Sequence, residues 1–191
     1  MNQGFYFDER ACIGCRTCQV ACIETHKLPR EARFRRVWSY VTGTYPDASA
    51  FHLSLGCNHC AKPACVAACP QKAMYIDSED GTVQHDDEKC IGCKTCVTAC
   101  PYGTPQYRED IALVQKCDAC VGYRAQGEDP VCVAACPMRA IAFGDVEELA
   151  KAHPETVSAI PVMPVADTTN PSLLMTVKQQ ALAEEPQALR L

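Results

Sequence analysis

Sixteen cysteines hold the chemistry that this sequence of 191 residues can do. Cys12, Cys15, Cys18 and Cys22 stand as C-x2-C-x2-C-x3-C within CIGCRTCQVAC, and Cys90, Cys93, Cys96 and Cys100 repeat that spacing within CIGCKTCVTAC. Cys57, Cys60, Cys65 and Cys69 are separated by two, four and three residues. Cys117, Cys120, Cys132 and Cys136 are separated by two, eleven and three. The two kinds of segment alternate, and the second kind echoes itself as CVAACPQKAMYID and CVAACPMRAIAFG. Three thiolates two residues apart lie on one tight loop and hold three corners of an iron–sulfur cubane, while a fourth, three residues on, points to a neighbouring cluster. Zinc sites need four thiolates per ion from two knuckles and have no use for a third cysteine in register. A disulfide scaffold needs an oxidising compartment and does not crowd cysteines so regularly. The spacing therefore predicts four [4Fe-4S] clusters, with iron held by all sixteen cysteines.

Proline follows the last cysteine in three segments, at Pro70, Pro101 and Pro137. It fixes the backbone as the chain leaves the cluster. The first segment has Ile23 instead and enters an insertion, residues 23–56.

The elements around the cysteines decide which segments pair. After Cys69, AMYID and TVQHD flank an Asp80-Gly81 bend and read as a hairpin joining the second segment to the third. GFYFD before Cys12 and AIAFG after Cys136 have no sequential mates, so they pair with each other. The expected fold is α+β: two nested bacterial-ferredoxin-like units with small hairpins and short helices, plus an extended C-terminal arm. The outer unit comprises residues 1–22 and 101–150, the inner unit residues 57–100, and the arm residues 151–191. In this scheme Cys12, Cys15, Cys18 and Cys136 hold cluster 1. Cys22, Cys117, Cys120 and Cys132 hold cluster 2. Cys57, Cys60, Cys65 and Cys100 hold cluster 3, and Cys69, Cys90, Cys93 and Cys96 hold cluster 4.

Apolar residues make up 48% of the chain with the cysteines included. Without them roughly 40% remains, slightly lean for a core, so disulfides, zinc or iron–sulfur clusters must help to hold the fold. The formal charge of −5 argues against nucleic acid as a partner. Four clusters would add roughly −8 more, which nearby Lys, Arg and backbone N–H groups must offset. MNQGFYFDERAC has neither the basic nor the apolar region of a targeting segment. The uncharged run in the tail, residues 156–166, is too short to span a bilayer. No Ser-His-Asp set, P-loop or dinucleotide fingerprint is present, so no catalytic site is expected.

The motifs CIGCRTC, RFRRVW, LGCNHCAKPACVAACP, EKCIGCKTCVTACPYGTPQY, QKCDAC and PVCVAACPMRAIAFG resemble the four-cluster iron–sulfur subunit of the dimethyl sulfoxide reductase family, over residues 4–149. The resemblance implies an electron-transfer subunit between a molybdenum bis-pterin (molybdopterin) catalytic subunit and an integral membrane anchor that handles quinol. It implies peripheral attachment to the membrane through a partner, on a face that the sequence does not fix, and the same nested pairing. By resemblance, cluster 1 faces the molybdenum subunit and cluster 4 faces the membrane. Nitrate-reductase relatives carry tryptophan where Cys93 stands and hold a three-iron cluster there; Cys93 implies four four-iron clusters here. The same role with polysulfide, tetrathionate, arsenate, selenate or formate is the alternative within the class. Outside it stand a free soluble polyferredoxin and a zinc-bound structural module.

Other residues admit two readings each. His59, inside CNHC, is a hydrogen-bonding or interface residue rather than a ligand, since four cysteines already serve that cluster. Lys116 either softens cluster charge or is an ordinary surface lysine. Arg33, Arg35, Arg36 and Trp38 read as an alternating strand that is a docking face or a solvated hairpin. Residues 145–153 read as a short helix with Val146, Leu149 and Ala150 on one side. Pro154, Pro161, Pro164, Pro171 and Pro186 then break regular structure. With Ile160, Val162, Met163, Val165, Leu173, Leu174 and Met175 among them, the expectation is an arm lying on a partner subunit.

Overall fold

A computed structural model describes residues 2–183 and 186–189. In chain order the elements are β1 (Gln3–Asp8), α1 (Thr17–Thr25), β2 (Arg36–Thr42), β3 (Ser49–Leu55), α2 (Ala64–Ala67), β4 (Met74–Ile76), β5 (Val83–His85), α3 (Thr95–Ala99), β6 (Gln106–Arg108) and β7 (Leu113–Gln115). Then come α4 (Val121–Arg124), α5 (Val131–Ala134), β8 (Ile141–Asp145), α6 (Val146–Ala152), β9 (Leu173–Thr176) and β10 (Gln187–Leu189). Small sheets and short helices make an α+β, ferredoxin-like fold.

The cysteine–proline punctuation sets the helix lengths. α2, α3 and α5 each stop just short of Pro70, Pro101 and Pro137, because the residue before proline is driven out of the helical region. Cys100 has φ −77° and ψ 116° accordingly. α1 has no such stop and continues past Cys22 to Thr25. α6 starts where Asp145 Oδ1 accepts from the N–H groups of Glu147 and Glu148, at 3.0 and 3.2 Å, an N-cap that fixes the helix expected there.

β1 pairs antiparallel with β8, Phe5 opposite Phe143, and β4 pairs antiparallel with β5, Met74 opposite His85. Both pairings agree with the strands expected from the cysteine flanks. β2 and β3 form the hairpin of the insertion, and β6 and β7 a further hairpin.

The arm departs from expectation. It is extended, and it lies along its own chain, where the expectation placed it on a partner. β9 adds to the free edge of β1 in parallel, Phe5 beside Leu173 and Phe7 beside Met175. Leu173, Met175, Ile160 and Met163 are buried. Val157 and Met175 exchange both backbone hydrogen bonds, at 2.9 and 2.8 Å. Farther on, β10 pairs with β2. The reason lies in β1. Its buried residues Phe5, Tyr6 and Phe7 need cover on both sides, and without β9 its N–H and C=O groups would be an unpaired edge within apolar surroundings. The proline-broken tail supplies a strand that cannot continue as a helix. Residues 184, 185, 190 and 191 of the arm lie outside the described residues.

Candidate metal centres

The two CIGC loops owe their shape to left-handed backbone. Gly14 and Gly92 sit at φ +68° and +67°, and a Cβ there would meet the His52 ring or Ala112 O at 2.5 Å. Arg16 and Lys94, which open α1 and α3, are also left-handed, both at φ 63°. Alternation of hand turns successive N–H groups inward, a nest suited to anionic sulfur.

The thiols fall into neighbourhoods that mix distant parts of the chain. Cys12 feels Cys18, Cys136 and Cys15, and a concavity beside β1 is lined by these four. Cys22 feels Cys132 and Cys120, and Cys117 feels Cys22 and Cys132. Cys65 feels Cys57, Cys100 and Cys60. Cys96 feels Cys69, Cys90 and Cys93, and a second concavity is lined by that set. Neighbouring groups lie within electrostatic reach of one another in order: Cys18 feels Cys132, Cys117 feels Cys57, and Cys65 and Cys96 share one small core with Cys69 and Cys90 against it.

Burial pushes the interior thiols up, Cys22 and Cys65 to about 12 and Cys60, Cys96 and Cys120 to about 11. Such groups give up their protons only to a bound cation. Only Cys15 and Cys93 are exposed, at equivalent places in the two CIGC loops. Each lies 3.3 Å from a threonine hydroxyl, Thr17 or Thr95, which holds its pKa below the usual thiol value by stabilising the thiolate. Ile13 and Ile91 stand exposed beside them.

The surrounding polar groups are rich in donors. His59 is fully buried; its Nδ1 accepts from the Val83 N–H at 3.0 Å, tying the CNHC loop to β5. Its Nε2 then carries the proton and has no protein partner. Burial, followed by Lys116, Arg124 and Arg35, lowers its pKa well below the ordinary value. Arg35 Nη2 is likewise buried without a partner. Four crowded thiols per group, with unpaired donors beside them, fit clusters whose sulfides accept hydrogen bonds.

One open reading is decided and another changes. Lys116 is buried, not a surface lysine; its ammonium donates to Val83 O and Cys117 O. Arg35 neither docks nor faces solvent: it precedes β2 in a bend and turns inward, at 3% exposure. Residues that the sequence did not single out support the sulfurs. Ser54 Oγ lies 3.4 Å from Cys18 Sγ, Thr104 Oγ1 3.5 Å from Cys100 Sγ, and His26 Nε2 3.4 Å from Cys120 Sγ. His26, Asp118 and Cys120 could together approach a metal ion, but Asp118 Oδ1 already accepts from the Cys120 N–H at 2.8 Å, so the trio holds Cys120 in place.

Comparison with known proteins gives the same answer. Residues 48–146 match the 4Fe-4S dicluster domain. The B subunit of the anaerobic dimethyl sulfoxide reductase of Escherichia coli is 41% identical over 180 residues, covering 90% of this chain and 87% of the relative. The chain belongs to the iron–sulfur subunits of the dimethyl sulfoxide reductase family. The corresponding subunit of Haemophilus influenzae is 39% identical, covering 93% of this chain and 90% of the relative. The B subunit of the polysulfide reductase of Wolinella succinogenes is 36% identical, covering 76% and 77%. Membership gives this subunit an electron-transfer role in a molybdenum oxidoreductase. Among the described residues, no helix is long and apolar enough to cross a membrane.

Proposed function

We propose that four [4Fe-4S] clusters occupy the four thiol groups as partitioned above and pass electrons between a quinol-handling membrane anchor and a molybdenum bis-pterin catalytic subunit. The subunit has no catalytic site of its own and is peripheral, attached to the membrane through its partners. The observation that carries this reading is the order of the groups. Sulfur neighbours run from the Cys12 group through the Cys22 and Cys57 groups to the Cys69 group, and the two exposed cysteines belong to the two ends. Each cluster, when bound, exchanges one electron without breaking a substrate bond. The chain excludes water from the interior sulfurs, donates hydrogen bonds to sulfur and offers Cys15 with Ile13 at one end, Cys93 with Ile91 at the other. The first end docks the molybdenum subunit and the second the anchor. The identity to two reductases named for dimethyl sulfoxide supports that substrate for the whole complex; the polysulfide reductase relative makes polysulfide the second reading.

The anaerobically purified chain is expected to carry about sixteen irons and sixteen sulfides, from four cubanes. In the same preparation, Cys136→Ser perturbs the electron paramagnetic resonance signal that Cys12→Ser also perturbs. Zinc in place of iron would end the reading. Damage by Cys136→Ser confined to the signal of Cys117 and Cys132 would end the partition.

A further inference from the structure

Arg35 is delivered into the protein by the insertion between the first two cysteine segments. Its Nη1 donates to Ser54 O at 3.3 Å and Ser54 Oγ at 3.2 Å. Its guanidinium carbon stands 4.7 Å from the centre of the Phe5 ring. Nη2 is buried and unpartnered. Among the described residues, no carboxylate forms an ion pair with it. Removing a guanidinium from water without a counter-charge is strongly unfavourable. The groups that face this one are sulfurs, Cys132 and Cys117, then Cys18 and Cys22, which become negative when they hold iron. They come from both groups of the outer pair, and Ser54 touches Cys18 and Arg35 alike.

We propose that Arg35 is a positioning residue whose fixed positive charge, shared by the Cys12 and Cys22 groups, raises the affinity of those two centres for an electron. The inference rests on the four-cluster reading. One electron enters from the reductant, no bond forms or breaks, and the site gains one negative charge. A nearby cation in surroundings of low dielectric favours the form with more negative charge. Arginine keeps its proton throughout, so the effect does not depend on its titration. Hydrogen-bonding residues such as Thr17 and Thr95 act on one sulfur each; Arg35 acts on two centres at once because it stands where they meet.

The test uses the full chain, purified anaerobically with the subunits that accompany it, as Arg35→Gln and Arg35→Lys. Iron is counted, and the cluster signals are followed at poised potentials, with Cys136→Ser and Cys120→Ser marking the outer pair. Arg35→Gln is expected to keep its iron and to move the two outer signals down by about tenfold in the one-electron equilibrium, about 59 mV. The two inner signals stay in place, and Arg35→Lys leaves all four near their native potentials. Four unmoved potentials at full iron would overturn the proposal, as would equal movement of all four or an Arg35→Lys shift as large as that of Arg35→Gln. If Arg35→Gln loses iron, retention by Arg35→Lys supports the need for charge, and equal loss by both overturns it. Absence of iron from the native chain would instead remove the four-cluster reading beneath it.

Discussion

The same cysteine arrangement is supported in two different ways. Around β1 and β8 it rests on a large apolar core that includes Phe5, Phe7, Phe34, Phe51, Leu53 and Met175, supplied by the insertion and the arm as well as by the cysteine segments. Around β4 and β5 the buried cluster is Cys65, Met74, Val83, Cys96 and Val114, two of them cysteines. Tyr75 and Ile76 of that hairpin are exposed. An isolated two-stranded hairpin is marginal in water. The inner region is therefore expected to depend on bound metal for its structure, whereas the outer sheet is expected to keep an apolar core without it. Where apolar burial is scarce, the metal is the core.

The most severe way to break this contrast is to remove iron. After chelation, backbone amides of β4 and β5 are expected to lose hydrogen-exchange protection completely, while those of β1, β8 and β9 keep part of theirs. Equal loss in both regions would mean that the outer core does not stand without clusters either.

A smaller effect sharpens the comparison by truncating each core. Met175 is fully buried, and Met175→Ala is expected to cost about 2–5 kcal/mol in the loaded protein and to abolish the protection remaining in the iron-free chain. Met74→Ala, at 1% exposure, weakens the loaded protein but leaves the iron-free exchange pattern unchanged. Denaturation midpoints with and without iron check both statements. A Met74→Ala effect on iron-free exchange would show an inner core that folds by itself.

The smallest concerns the tie between the regions. Arg124 Nη1 donates to Asp80 Oδ2 at 2.6 Å and to Gln3 Oε1 at 2.9 Å, joining the β4–β5 turn to β1. Burial raises the Asp80 pKa, but the Thr82 hydroxyl and N–H and the Arg124 guanidinium outweigh it and leave the pKa below the ordinary 3.8. A depressed pKa stabilises the folded state above the unfolded value, and that stability is lost as pH falls through the folded value. Asp80→Asn is therefore expected to cost about 1 kcal/mol at neutral pH. The difference from the native protein shrinks as the solution is acidified below the ordinary aspartate range. Denaturant midpoints of the two proteins across pH measure it; a constant difference would mean that the contact works by shape alone.

The pairings of β1 with β8 and of β4 with β5 were legible because each strand adjoins a cysteine segment and the Asp80-Gly81 bend marks one turn. The α6 helix was legible from the apolar spacing of Val146, Leu149 and Ala150. RFRRVW misled because its alternation suggests one continuous strand, whereas β2 begins only at Arg36 and Arg35 lies in the bend before it. The arm misled for a different reason. Leu173 and Met175 look like contact residues, but sequence alone does not say whose surface they meet; β1 lies more than 160 residues earlier, and nothing local records that its second edge is free. His26 gave no signal, because it lies outside every cysteine motif and is brought to Cys120 only by the fold.

The central place of β1 has a consequence for biosynthesis. β1 is translated long before β8 and β9, the strands on either side of it. Until they arrive, Phe5 and Phe7 lack the cover that the sheet gives them. The β4–β5 hairpin spans a short turn and closes while the polypeptide is still growing, because local contacts form before distant ones. Iron delivered to the nascent chain thus finds the inner loops ready first. The last closure comes when the arm threads home: β9 settles beside β1, and Thr169, Asn170 and Ser172 bond the backbone of Lys62, Ala61 and Asn58, so a chain ending after β8 would lack cover over the outer sheet and over the Cys57–Cys65 loop alike.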